Sequence, residues 1–276
     1  MRKSSRLPLP KWAARYTANT NVGRAQALMA YSSYYCLDGI ADDCDDPGME
    51  RLPMHRGPML AYASRTGTRR NLDAMRAAGW RLIVSAAGVL RDEGLRYALD
   101  NGAWSYFQQG RSFDERAFMV AVEKMGERAD WIVLPDIVGG GLRSLEYSLA
   151  WLERLRGLPT PVLIAVQNGC EIEDVRSLLS PAVGIFIGGD TAWKEKTAVE
   201  WGKVARKRNC LLHVGRVNSA RRIGICAAAG ASSFDGSSVS RYAKTLAPLD
   251  KANRQPDLFA ASASWATEHA PHLEML

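Results

Sequence analysis

Cysteine is scarce in this chain and badly spaced for structural chemistry. The five present (Cys36, Cys44, Cys170, Cys210, Cys226) are an odd number, and none forms a Cys-x-x-Cys pair. That argues against a disulfide framework and against a four-cysteine zinc ribbon. Cys210 and Cys226 sit among apolar neighbours and read as small core hydrophobes. Histidine is scarcer still: His269 and His272 fall in the tail, His55 in a loop, and His213 inside a strand as a satisfied core residue. Long hydrophobic runs are missing too, since stretches such as 161–166 are far too short to cross a bilayer. The basic start, Met1-Arg-Lys-Ser-Ser-Arg6, is followed by no apolar segment or small-residue cleavage site, so no secretory signal is expected. A membrane partner is not expected, and a reducing, cytoplasmic setting is. The acidic residues of 42–46 lack the central Gly and closing Glu of a calcium loop. Gly139-Gly-Gly141 lacks the remaining spacing of a dinucleotide or Walker loop.

What is present fits an ordinary globular enzyme size. Hydrophobic residues are 47% and charged residues 24% of 276, which excludes wholesale disorder. That length suits a single α/β barrel of about 250 residues. The net charge of +7 leans toward a polyanionic partner, without bearing on the fold.

Residues 1–57 read as an irregular N-terminal extension, with six basic residues and no acid up to position 24, then an acidic loop. From residue 58 a βα rhythm begins. Strands are expected at 59–62, 81–84, 97–99, 131–134, 162–166, 184–187, 211–214 and 232–234. Helical patterns follow most of them: one bearing Leu72, Met75 and Ala78, one starting near Ser112 through a Ser-x-x-Glu capping box, and others over 142–156, from about 171, over 192–208 and over 219–229. Near-continuous apolar strands imply a sheet buried on both faces. Eight such units predict a (β/α)8 TIM-type barrel over 58–247, with a short C-terminal tail over 248–276 packed on it. A doubly wound open sheet is the alternative, because strand order is not written in the sequence.

In a βα barrel the chemistry sits where the strands end. Those positions hold Asp100, Asp136, Gln167, Gly188-Gly189-Asp190, Gly215-Arg216 and Asp235. A single strand-end Asp is commonly a cap or turn former. Three carboxylates and an amide around one mouth exceed what structure requires. They could also hold a magnesium ion. Residues 201–222 carry seven basic residues and no acid. Arg216 lies on the catalytic face, and Arg221 and Arg222 open the next helix, where cations oppose the helix dipole and suggest a nearby anion. Lys203, Arg206, Lys207 and Arg208 close the preceding helix and read as a solvated turn.

These strand ends resemble the tRNA-guanine transglycosylase superfamily over roughly residues 59–245. Leu99-Asp-Asn-Gly-Ala-Trp104 looks like its Asp-Ser-Gly-Gly-Phe motif, and Ala165-Val-Gln-Asn-Gly169 is similar to its Val-Gln-Gly-Gly motif. Phe186-Ile-Gly-Gly-Asp190 resembles its base-pocket loop. His213-Val-Gly-Arg-Val and Ser232-Ser-Phe-Asp-Gly-Ser237 parallel its Gly-Val-Gly turn and Phe-Asp-Cys motif. The family's Cys-x-Cys-x-x-Cys and distant His are missing after Asp235, and Gly236 replaces the motif's Cys. The trimmed pattern resembles the zinc-free branch, mostly phage-encoded or in bacterial modification clusters, that inserts 7-deazaguanines into DNA.

The resemblance implies Asp235 as nucleophile and Asp100 as general acid/base. It implies that Asp136, Gln167, Gly188 and Gly189 hold the base, and DNA phosphates are expected near Arg216, Arg221 and Arg222. No metal or cofactor is expected, a free preQ0-type 7-deazaguanine being co-substrate. The partners would be DNA and the free base, with a duplex-opening partner left open, in the host cytoplasm if phage-encoded. tRNA as substrate, a non-catalytic nucleic-acid-binding accessory barrel, and an unrelated barrel hydrolase or lyase are the alternatives.

Overall fold

The computed structural model describes residues 58–66 and 68–255. The basic and acidic segments of 1–57 and the tail beyond 255 lie outside them. Eight parallel strands close into a barrel in sequence order: β1 (Leu60–Ser64), β2 (Arg81–Ser85), β3 (Tyr97–Asp100), β4 (Ile132–Val133), β5 (Val162–Val166), β6 (Val183–Ile187), β7 (Leu212–Val214) and β8 (Ser233–Gly236). Closure comes from β8 pairing with β1, with Leu60 opposite Ser233 and Tyr62 opposite Asp235. The open-sheet alternative is thereby excluded.

Period-2 alternation sorts each strand between two cores. Outward residues such as Leu82, Val84, Leu99, Ile164 and Ile185 pack under the helices. Inward residues form a smaller core of Tyr62, Ala98, Trp131, Val133, Leu163 and Ala165, with Phe186 against it. Below this layer the barrel is closed by Asp130, whose carboxylate accepts from Arg81 (2.8 Å), Arg96 (2.6 Å) and the Tyr62 hydroxyl (2.9 Å). Burial, then the Asp130 carboxylate, pushes the Tyr62 hydroxyl pKa upward, so it stays a protonated donor.

The helices are α1 (Arg69–Ala77), α2 (Ala103–Gln108), α3 (Glu115–Met125), α4 (Leu142–Arg154), α5 (Ile172–Val175), α6 (Thr191–Lys207), α7 (Ala220–Ala229), α8 (Ser238–Arg241) and α9 (Leu246–Arg254). In α3, Phe118, Ala121, Val122 and Met125 are buried at i, i+3, i+4 and i+7, one face of an amphipathic helix. The helix expected from Ser112 begins later. Asp114 is its N-cap, accepting from the Ala117 amide at 2.9 Å, so a carboxylate two residues downstream takes the place of the Ser-x-x-Glu box. The helix expected from about 171 is a single turn, capped reciprocally by Glu171 and Asp174. Between β2 and β3 the chain crosses without a helix.

The described start of the tail lies in α9, up to residue 254, and is fastened to the barrel. Trp80 Nε1 donates to Asp250 at 3.0 Å, Asn253 to the Met59 carbonyl at 2.9 Å and Arg254 to the Ala78 carbonyl at 2.7 Å. α6 and α7 pack tightly at Gly202, where an added Cβ would sit 1.8 Å from the Ala229 carbonyl oxygen. Arg206, from the basic run that reads as solvated, donates to that same carbonyl at 3.0 Å. Replacing Gly202 by Ala is expected to force these helices apart at a cost of about 1–3 kcal/mol. In thermal unfolding that is a fall of several degrees, and a variant melting with the wild type would show that the helices separate freely.

Candidate functional site at the barrel mouth

Three strands deliver carboxylates to the C-terminal rim, and each arrives with its own support. Asp100 ends β3. It accepts from the Gly102 amide at 3.0 Å and is hydrogen-bonded to Ser85 at the end of neighbouring β2. Burial is the main reason its pKa is raised to about 6, and the Asp136 and Asp235 carboxylates push in the same direction. Asp136 follows β4 and accepts from the Asn101 amide at 2.8 Å, the same group that donates to the Leu134 carbonyl at 2.7 Å. Burial also raises the Asp136 pKa, against the Asn101 bond.

Asp235 lies within β8, and its side chain is 14% exposed. Its Oδ1 accepts from the backbone amide of Arg216 and from His213 Nε2, both at 3.1 Å. His213 is fully buried, and burial lowers its pKa despite the Asp235 bond that raises it, so the ring is neutral. Its other nitrogen meets the Ser233 hydroxyl at 2.8 Å. His213 is therefore a satisfied interior histidine as the sequence reads, but one of its two partners is the site's own carboxylate. Gly215 makes room for this arrangement, because a Cβ there would lie 2.8 Å from the Phe186 ring and 3.4 Å from Asp235.

Gln167 reaches the mouth with both ends of its amide engaged. It accepts from the Gly139 amide at 2.7 Å and donates to the Ile137 carbonyl at 2.9 Å, holding the glycine-rich loop that follows Asp136. Ser144 assists by accepting from the Ile137 amide at 2.9 Å. The Gly188 amide donates to the Val166 carbonyl at 2.8 Å, and the Gly189 carbonyl accepts from Arg216. Asp190 caps α6 through the Trp193 amide at 2.9 Å and is clasped by Asn168.

The arginines divide. Arg216, at φ +59°, swings across the rim, and its guanidinium stands 4.7 Å over the Trp104 ring. Arg221 binds Glu195 through two bonds of 2.7 Å, and Arg222 approaches the same carboxylate at 3.4 Å. Those two cations are thus partly neutralised by a residue of α6 that lies far from them along the chain. Trp104 (40% exposed) and Phe107 (58%) stack with ring centroids 5.7 Å apart and present an apolar face beside the arginine, while Tyr106 turns into the core.

The sequence reads His213 as a satisfied core residue and Trp104, Tyr106 and Phe107, spaced to stack on a base, as core, and nothing in it singles out Ser85, Asn101 or Lys194. Asn101 adjoins Asp100, which was the available clue. Lys194, on α6, is buried and donates to the Gly215 carbonyl at 2.6 Å. Burial and then the nearby Arg216 charge lower its pKa to about 8. Among the described residues no group of three His, Cys, Asp or Glu side chains is placed to hold a metal ion, and no helix is long and apolar enough to cross a membrane.

No protein-family model matches the sequence, and no curated protein matches it. Among solved structures, one described as "Native KDPGal structure" is similar at 14% identity with a TM-score of 0.44. That similarity covers 78% of this chain and 98% of the other.

The raised Asp100 pKa has a thermodynamic sign. The folded state holds that proton more tightly than the unfolded chain, so its stabilising effect is complete below about pH 4 and is lost as pH rises through about 6. Asp100→Asn removes the ionisation. The variant is expected to gain stability over the wild type between pH 4 and pH 8, by at most about 3 kcal/mol. Melting both proteins across that range checks it; a difference independent of pH would mean that Asp100 ionises normally.

Proposed function

We propose that this chain is a base-exchange transglycosylase that replaces guanine in DNA with a free 7-deazaguanine of the preQ0 type. The observation that carries the reading is the pairing of two unlike carboxylates on one rim. Asp235 is held by two donors on one oxygen, and Asp100 is buried with a pKa near 6. Two carboxylates in unlike surroundings are the means by which one site supplies a nucleophile and a proton carrier. The motif resemblance of residues 99–104, 165–169 and 213–237 supports the same assignment.

The chemistry balances without a cofactor. An Asp235 carboxylate oxygen forms a bond to C1′ of the sugar as the C1′–N9 bond breaks, and the bond's electron pair leaves with guanine, which takes a proton from Asp100. The incoming 7-deazaguanine returns a proton to Asp100, bonds to C1′ through N9 and expels Asp235. Asp136 faces the base, where a carboxylate accepts side-by-side donors from N1–H and the 2-amino group, a pair that adenine lacks. Gln167 acts on the base through the loop it holds, and Gly188 and Gly189 line the opposite side. Trp104 offers a flat face for a base. A nucleotide inside a duplex must be flipped to reach the mouth, at a cost of a few kcal/mol. Phosphate contacts by Arg216, Arg221 and Arg222 would offset that and make binding salt-dependent. Because Glu195 shares the charge of the last two, Arg216 is expected to matter most.

Incubation with labelled 7-deazaguanine and either DNA or tRNA, followed by digestion to nucleosides, tests the reading. Label is expected in DNA. Label in tRNA alone would establish the tRNA reaction instead, and no label in either would favour a non-catalytic barrel. Asp235→Ala is expected to incorporate nothing, and Asp100→Asn to lose about 10²–10⁴-fold. Single-turnover guanine release should decline as pH rises through about 6, because Asp100 must still hold the proton it donates.

A further inference from the structure

Two hydrogen-bond donors converge on one oxygen of Asp235 and leave the other alone. His213 Nε2 and the Arg216 amide both lie 3.1 Å from Oδ1, whereas Oδ2 accepts from no group among the described residues. We infer that His213 and Ser233 form a fixed relay that positions Asp235, so that Oδ2 is the oxygen that attacks.

The direction of the relay follows from charge. An ionised Asp235 can only accept, so the proton on the imidazole sits on Nε2. Nδ1 is then an acceptor, and the Ser233 hydroxyl, 2.8 Å away and buried, donates to it. The reverse tautomer would aim a lone pair at a carboxylate. Ring contacts hold the imidazole still: Phe186 stacks on it at 5.0 Å, Trp131 lies at 4.4 Å and Tyr62 meets it edge-on at 5.8 Å. The charged groups that act on the ring are few. Asp235 faces it from β8 and Lys194 lies behind it on α6, while Ser233 is neutral and the Tyr62 hydroxyl is directed to Asp130. Burial keeps the imidazole from becoming an imidazolium, so it acts as a rigid dipole and not as a proton carrier.

This role rests on the reading of Asp235 as nucleophile. When Oδ2 bonds to C1′, Oδ1 becomes the carbonyl oxygen of a glycosyl ester. The two donors already in place stabilise the carboxylate again as the incoming base expels it, with no proton gained or lost by His213. His213 is accordingly a positioning residue.

The relay can be tested without substrate. ¹⁵N NMR of His213 reports the imidazole tautomer directly, and carboxyl-¹³C NMR of Asp235 reports the hydrogen bonding of its carboxylate. The wild type is expected to show a protonated Nε2 and a His213 midpoint below that of a free imidazole. His213→Leu should shift the Asp235 carboxyl resonance at neutral pH, because a donor to it is lost. His213→Gln, which keeps an amide donor, should restore most of that shift. Ser233→Ala should allow mixed tautomers, which keeps the test sound if the leucine variant folds badly. In the base-exchange assay, His213→Leu should lower kcat about 100-fold with KM within about twofold. An unchanged Asp235 carboxyl resonance in a folded leucine variant, or a wild-type His213 protonated on Nδ1 alone, overturns the relay. A wild type that shows the NMR pattern but exchanges no base overturns the transglycosylase reading alone.

Discussion

Closing eight parallel strands on themselves is the constraint from which the other features follow. Closure leaves no strand edge unpaired, and because every strand runs the same way it delivers all eight C-terminal ends to one rim. The interior is then only wide enough for side chains, so inward positions are stacked along the axis. An ionic plug around Asp130 closes the bottom, and Tyr62, Trp131, Phe186 and His213 fill the middle. Whatever lies above that aromatic layer is held out of the core and faces the mouth. The carboxylates occupy that level.

Crowding carboxylates there opposes their ionisation, and the site is organised around managing that cost. Each acid receives a donor fixed by the backbone or by its neighbour: Gly102 for Asp100, Asn101 for Asp136, and Arg216 with His213 for Asp235. The donors are not equal to the burial. Asp100 has the raised pKa of a buried acid, whereas Asp235 retains two donors on one oxygen. The cationic side of the rim shows the same economy, with Lys194 capping the Gly215 carbonyl and Glu195 tying down Arg221 and Arg222.

Much of this was legible in the sequence. The strand runs of 81–84, 97–99 and 162–166 lie within one residue of the observed strands, because both faces of the sheet are buried and the apolar runs are nearly unbroken. Asp100, Asp136 and Asp235 were identifiable from strand-end position alone, since barrel topology converts a one-dimensional position into a place on the rim. Helix starts were less legible. Ser112 and Asp114 are both acceptable caps, and the folded chain turns the Ala117 amide onto Asp114. Side-chain destinations were not legible at all. Gln167 looks like a group free for a ligand until the loop over Ile137 and Gly139 folds back onto it, and Arg221 looks like a free cation until α6 brings Glu195 alongside.

The sequence by itself determined the alternation of buried strands and amphipathic helices, and with it which residues stand at strand ends, because those depend on local periodicity and short-range turn chemistry. The tertiary structure decided closure over an open sheet, the raised pKa of Asp100, and the partnership of His213 with Asp235. Those depend on contacts between residues distant along the chain and on the loss of water around them. Hydrogen bonds and desolvation act over a few ångströms of space, and no pattern of neighbours along the chain records that distance.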